Sequence, residues 1–393
     1  MQANAKMFQM KPRSILTLGN FFGSAHFFLI IYIVAPYLAT FMPDSAAGLV
    51  VSLGAIGTLA VFPFMPQLIR KYGARHLAIY FGIAQLVVLG LLALEPGPMP
   101  AFLLVALTCA IAPLISYQMD LLLEATVARE EATGRIRTLF LTSGSIALIL
   151  APMVLAWLLD GTNAYWRVFA VASASTIPFI ILMSLRPLPH GTNMNIVTLA
   201  QAFQCLIENQ DTRATVLAHA TLQFFYHLAP FYIPLYLHSV LQIPWSTLGL
   251  LFTIMLLPFV LLEYPAGWLA DRKWGDKEIL LAGFVLLAAS FAALALVNAD
   301  TMILLILFIL ILNRSGAALV EAMTEGHFFR RISKEDDAAV GVFRITRPLA
   351  ALSAPIVGSI ILSVSSYGTL FVVTGLLIGI VGVSSTLKIR DIK

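Results

Sequence analysis

Long apolar runs alternate with short polar interruptions along the whole chain. The runs fall at about 14–41, 45–69, 76–94, 99–125, 137–159 and 164–185, then at about 213–241, 245–270, 278–298, 302–326, 342–364 and 366–387. About 20 apolar residues in a helix cross the roughly 30 Å hydrocarbon layer of a bilayer. The pattern therefore predicts an all-α polytopic membrane protein with twelve transmembrane helices and both termini on one side. The opening residues, MQANAKMFQMKPR, are basic but lack a small-residue cleavage site. The run that follows is long enough to span, so it reads as the first helix and not as a signal peptide.

Composition agrees. Of 393 residues, 60% are hydrophobic and 11% charged, where a soluble domain carries roughly 25% charged residues. That deficit excludes a soluble enzyme, a disordered chain and a nucleic-acid binder. The net charge of +4 is explained by topology. If the N-terminus is cytoplasmic, the outer loops near 42–45, 95–99, 160–165, 240–245, 298–302 and 364–368 hold no Lys or Arg. They carry Asp44, Glu95, Asp160 and Asp300 instead. The inner side collects Arg13, Arg70, Lys71, Arg75, Arg129, Arg135, Arg272, Lys277, Arg330, Lys388 and Arg390, among others. This is the positive-inside asymmetry. It predicts an integral protein of the plasma (cytoplasmic or inner) membrane with both termini cytoplasmic. Cys109 and Cys205 imply no disulfide framework.

The longest interruption, about 186–212, carries Leu199, Ala202, Phe203, Leu206 and Ile207 at helical spacing. It reads as an amphipathic helix on the cytoplasmic face. It would link an N-terminal six-helix bundle (1–185) to a C-terminal one (213–393). The two halves look related. A shift of about 201 residues overlays Pro43, Ser45 and Gly48 on Pro244, Ser246 and Gly249, and His26 on His227. With one more residue, RKYG (70–73) overlays RKWG (272–275). Asp120 and Glu124, followed by Gly134 and Arg137, parallel Glu321 and Glu325, followed by Gly341 and Arg344. Ala147 to Pro152 likewise parallels Ala350 to Pro355. Internal repeats of this kind mark transporters.

On these features the chain resembles the major facilitator superfamily over essentially its whole length. The most specific piece is Gly267-Trp-Leu-Ala-Asp271-Arg272-Lys-Trp-Gly275-Asp-Lys277, similar to the family's G-x-L-A-D-R-x-G-R-K loop with one extra residue before the second Gly. The first-half copy, Gln67 to Arg75, has Ile69 where the Asp belongs. The resemblance implies two six-helix bundles that rock around a midplane site. It also implies that Asp271 faces the start of the fifth helix near Arg135 and Arg137, where a helix N-terminus and arginines favour a carboxylate. The family's Gly-Pro antiporter motif is reduced to Ala147-x-x-x-Ala151-Pro152.

Ionisable residues inside a bilayer need a partner or a function. Arg314, near the middle of the tenth run, has no acid three or four residues away. It reads as the binding point for an anionic group, or else as a partner for Glu263. His26 and His227, with Gln223, Gln118 and Tyr117, are candidates for lining a substrate site; Gln85 and Asn313 are weaker ones. Histidine titrates near neutrality, so His26 and His227 could carry a coupling proton, as could Asp120 or Glu321, each one helical turn from a second acid. Alternatively these histidines only bridge helices. Glu124, Glu325, Arg344 and Arg347, with the Gly267 to Arg272 loop, Arg135 and Arg137, form a candidate cytoplasmic gate. No phosphate-binding loop or metal-ligand spacing is present in the sequence, so no cofactor is expected.

The sequence thus points to a monomeric, proton-coupled secondary transporter for a small solute, best matched by a small organic anion, with protons, solute and lipid as its only partners. A proton-coupled exporter of hydrophobic or cationic compounds is the alternative, and a polytopic membrane enzyme or lipid scramblase a second.

Overall fold

The computed structural model describes residues 11–127, 133–185, 188, 204, 206–207, 209–331 and 337–390; within these, the side chains at 127, 133–135, 263–264, 271, 273, 329, 331 and 337–338 lie outside the description. Eleven helices are long and apolar enough to cross a membrane. Numbered with the helix Gln210–Pro234 in chain order, they are α1 (Pro12–Ala39), α2 (Asp44–Tyr72), α3 (Ala74–Leu92), α4 (Pro98–Val127), α5 (Thr133–Leu158), α6 (Tyr165–Leu185), α7 (Gln210–Pro234), α8 (Trp245–Leu269), α9 (Asp276–Leu296), α10 (Ile303–Arg331), α11 (Asp337–Val364) and α12 (Tyr367–Lys388). The seventh of the expected twelve runs is the exception. It is helical, but Asp211, Arg213, two histidines and three threonines keep it below the apolarity of a lipid-facing span. Most of the 186–212 loop, including Leu199, Ala202 and Phe203, lies outside the described residues.

The chain forms two compact units. Unit 1 comprises residues 1–42, 50–194 and 244–249; unit 2 comprises 43–49, 195–243 and 250–393. In unit 1, α1 packs on α4, α5 and α6, while α3 packs on α4 and α6. In unit 2, α7 packs on α10, α11 and α12, while α9 packs on α10 and α12. Each pairing in the first set recurs in the second six helices later, so the parallel repeat read from the sequence is a repeat of packing.

Why α7 tolerates its polarity follows from this arrangement. Its residues Thr212, Thr215, His219, Thr221 and Gln223 are all buried within unit 2. A helix wrapped by three neighbours does not present its polar side chains to lipid, so it escapes the composition rule for exposed spans. The serines and threonines of other helices return their hydroxyls to their own backbone: Thr58 to Gly54, Thr126 to Leu122, Thr324 to Val320 and Thr386 to Gly382. At the α9–α10 crossing the backbones come so close that a Cβ on Gly316 would meet Leu287 N at 2.6 Å, the close approach that small residues permit in membranes.

Two of the helices interrupted near proline carry candidate residues. The α1 helix breaks at Tyr32–Ile33, just before Pro36; proline lacks an N–H and crowds the carbonyl four residues back. The α7 helix ends at Pro234 and continues as a wider turn through Leu235–Val240, where Leu241 N donates to Tyr236 O at 3.0 Å. Helical spacing alone places Phe22, His26, Ile33 and Tyr37 on one expected face of α1, and Gln223, His227, Pro234 and His238 on one expected face of α7; a backbone irregularity cuts each of them.

The RKYG and RKWG turns share one geometry. Gly73 has φ 78° and Gly275 φ 91°, with extended ψ, a region essentially reserved for glycine. Nothing lies within 4 Å of a Cβ placed on Gly73, so only backbone strain opposes a side chain there. Gly73→Ala is expected to lower stability by about 1–3 kcal/mol. Gly97→Ala, with equal space and ordinary φ, should leave it unchanged, as read by thermal unfolding of the purified protein.

Candidate functional site

The densest group of polar side chains inside the described spans lies in unit 2 on α7 and α10. Arg314 is 3% exposed, and its guanidinium lies over the Phe225 ring, 5.2 Å from the centroid. Its Nε has no hydrogen-bond partner, and no carboxylate pairs with it among the described residues. Cation–π contact in a desolvated place is worth about 2 kcal/mol, against roughly 2.5–3.5 kcal/mol to bring an arginine to the centre of a membrane helix. The ring thus offsets part of the penalty and leaves the guanidinium without a counter-charge in this group. The side chain of Glu263, its alternative partner, lies outside the described residues. Beside Arg314, Asn313 is fully buried and donates to Ser290 Oγ at 3.5 Å.

The helix α7 presents three more groups one turn apart. His227 Nδ1 faces the Gln223 carbonyl at 2.8 Å. Since a carbonyl only accepts, Nδ1 carries the proton and Nε2 is left as the acceptor or protonation site. The Gln223 amide approaches His219 Nε2 at 3.3 Å, and the His219 ring stacks on Phe343 of α11 at 3.8 Å. Tyr226 donates to Glu321 Oε2 on α10 at 2.6 Å. Of the expected gate residues, Glu325 and Arg347 meet at 3.5 Å between α10 and α11, both partly exposed. Arg344 lies one turn before Arg347 on α11. Arg272 sits over the ring of Trp268, 5.1 Å from its centroid, and Gly267 has open space around it. The side chains of Asp271 and Arg135 lie outside the described residues, so their meeting is not described.

In unit 1 the expected residues separate. His26 is 2% exposed, and neither ring nitrogen makes a well-aligned hydrogen bond among the described residues. Gln118 is fully buried and turns to Met65 Sδ at 3.4 Å, beside Leu77 and Leu114. Gln85 is buried as well. Tyr117 packs edge-on to Phe62 at 5.3 Å. Asp120 and Glu124 follow on the exposed side of α4, and Arg137 on the exposed side of α5.

Three arrangements escaped the sequence. Tyr226 passed as an ordinary aromatic. Arg75 donates to the Met183 and Ser184 carbonyls at 2.7 and 2.9 Å, capping the end of α6. Its repeat equivalent Lys277 does the same to Leu387 at the end of α12, at 3.1 Å. Cations suit helix C-termini, and the equal spacing of Arg75 and Lys277 after Gly73 and Gly275 was the available signal. Finally, Asp211, Asp276, His327 and Arg330 meet in unit 2. They lie far apart in sequence, and at the repeat positions Ala74, Thr126 and Arg129 only the arginine matches, so neither spacing nor repeat could reveal the group.

This is a polytopic helical membrane protein of two repeated six-helix units. Residues 215–391 match the family model described as Major Facilitator Superfamily. The whole chain has the fold of solved transporters. It is similar to a crystal structure of the nucleoside transporter NupG (TM-score 0.76, 15% identity, covering 96% of this chain and 99% of that one) and to a variant of it (0.77, 15%, 97% and 100%). It is also similar to a bacterial homologue of the iron transporter ferroportin in an inward-facing state (0.71, 16%, 96% and 99%). No curated protein matches the sequence. The resemblance read from the loop motif and the repeat is matched by the family model over residues 215–391, and the fold of the similar solved transporters extends over the full length.

The Tyr226–Glu321 bond is open to direct measurement. Tyr226→Phe removes this hydrogen bond from the carboxylate and should cost about 1–3 kcal/mol in denaturant unfolding. In a Glu321→Leu background the same change should cost clearly less, since a double-mutant cycle isolates the pair.

Proposed function

We propose that the protein is a secondary active transporter that moves a small solute across the cytoplasmic membrane by alternating access of its two bundles, 1–185 and 213–393, joined by the 186–212 segment. Arg314 carries this reading furthest. A buried guanidinium on α10, stacked on Phe225 and without a carboxylate partner among the described residues, suits the binding of a carboxylate or phosphate through its remaining N–H groups. The favoured substrate is therefore a small organic anion. His227, with Nε2 unprotonated, and Gln223 are the further binding candidates on α7. His26, Gln118 and Tyr117 remain candidates from the first bundle, of which Gln118 is the weakest because it faces Met65.

Proton coupling is assigned to His227 and Glu321 first, and to His26 and Asp120 second. The Tyr226 hydroxyl holds Glu321 in one orientation. The cytoplasmic gate is assigned to Glu325 with Arg347, supported by their contact, and to Arg344, Glu124, Arg137, Arg135, Asp271, Arg272 and Gly267. Both termini are placed in the cytoplasm, and the working unit is a monomer.

The similar solved proteins are named for nucleoside and iron transport, so the likeness of fold leaves charge class open. A ligand screen by thermal shift identifies what binds, since a ligand specific to the folded state raises its melting point. Carboxylates, phosphates and nucleosides form its arms. For an identified anion, Arg314→Ala should reduce uptake into proteoliposomes at least tenfold, and Arg314→Lys should restore only part of it, because an ammonium lacks the planar fork. Uptake unchanged in Arg314→Ala would remove the anion site. Uptake of a cation or a hydrophobic compound instead, driven by an opposing proton gradient, would select the exporter alternative.

A further inference from the structure

A second buried ionisable group stands in unit 2, at the opposite end of α10 from its outer residues, and owes nothing to Arg314. His327 is 1% exposed. Its Nδ1 lies 3.1 Å from Asp276 Oδ2 at the start of α9, and its Nε2 lies 3.3 Å from Asp211 Oδ2 at the start of α7. Asp276 also accepts from Arg330, one turn along α10, at 2.6 Å. The second oxygen of Asp211 accepts the backbone N–H of Arg390 at 2.8 Å. That bond pins the segment just after α12, where Ile389 is 3% exposed.

A neutral imidazole has one N–H and one lone pair; only the imidazolium donates from both nitrogens. Here both nitrogens point at carboxylate oxygens. A neutral ring would leave one lone pair against a negative oxygen in a place closed to water. We infer that His327 is a proton-binding site, and that its bound proton straps the starts of α7 and α9 and the segment after α12 to the end of α10.

Among the described residues, the charged and titratable groups on the surrounding elements are already engaged. From α7 comes Asp211 and from α9 Asp276. Lys277, the next residue of α9, is engaged with the Leu387 carbonyl. From α10 itself comes Arg330, while Glu325 turns to Arg347. Nearby α11 contributes apolar Ala339, Val342 and Phe343, packed with Phe328 and with Val216 of α7. Just after α8, Arg272 lies over Trp268. The segment after α12 contributes the Arg390 main chain. Loss of the proton converts one of the two histidine contacts into a repulsive one. The Asp211 side is the weaker, at 3.3 Å, and Asp211 is also what holds residue 390. The strap therefore releases the chain after α12 as the proton departs. This works whatever solute the protein carries.

The test uses the full chain in nanodiscs, with Cys109 and Cys205 replaced by Ser and Ile389→Cys as reporter. Maleimide labelling at each pH is divided by the rate for the denatured protein, which removes the reagent's own pH dependence. The reporter should be protected at pH 5.5 and labelled about tenfold faster at pH 8.5, the scale of losing one charge-assisted hydrogen bond. His327→Gln should label fast at both pH values, and His327→Arg, which keeps its charge, should lose the pH dependence. Labelling of the reporter that does not change with pH, or a pH response that persists in His327→Gln, overturns the proposal. If His327→Gln does not fold, Asp211→Asn serves in its place. It keeps an acceptor for Arg390 but not the charge, and retention of the full pH response there likewise overturns the strap.

Discussion

In a bilayer the hydrophobic effect does not drive helix against helix, because lipid tails are as apolar as leucine. Whatever polar group a helix carries must therefore be enclosed and satisfied by other helices, and that constraint organises this protein. The helix α7 shows it most clearly. It is too polar to stand in lipid, so it is wrapped by α10, α11 and α12, and the groups it carries meet Glu321, Phe343 and His327 there. The candidate functional chemistry is found where the enclosed polar surface is found.

That constraint explains what could be read from sequence. Apolar runs, loop charges and the paired motifs are local or periodic signals, and helix positions, the two-unit organisation and the superfamily resemblance follow from them. Gly73 and Gly275 were visible as a repeated letter, and the left-handed backbone supplies the reason. Arg314 was visible because a charge in an apolar run stands out. What could not be read was the partner of each polar residue. Gln118 and Arg314 look alike as polar intrusions, yet one turns to a methionine in a packed interior and the other lies on an aromatic face. Tyr226 and the Asp211–His327–Asp276 group needed three-dimensional proximity between residues up to 116 positions apart.

The expected face of α1 failed for a related reason. Helical spacing assumes an unbroken ladder of hydrogen bonds, and Pro36 and Pro234 interrupt it. Proline positions were legible, but the direction a side chain takes beyond the break depends on how the freed carbonyls are satisfied. In α7 that is a wider turn through Leu235–Val240, which carries His238 to the Ile243 carbonyl at 3.0 Å.

The helix-end caps of Arg75 and Lys277 bear on history as well as stability. A device found at the same place in both units is most simply inherited from one six-helix ancestor that was duplicated and fused. The glycine turn, the caps and the paired histidines are then the old inheritance. Arg314 and His327 stand where the first half has Pro113 and Thr126, so they arose after the copies parted, or were lost from one of them. On that ordering the ancestral bundle already possessed its architecture and its joints, while the buried guanidinium and the buried imidazole were later acquisitions of a single copy.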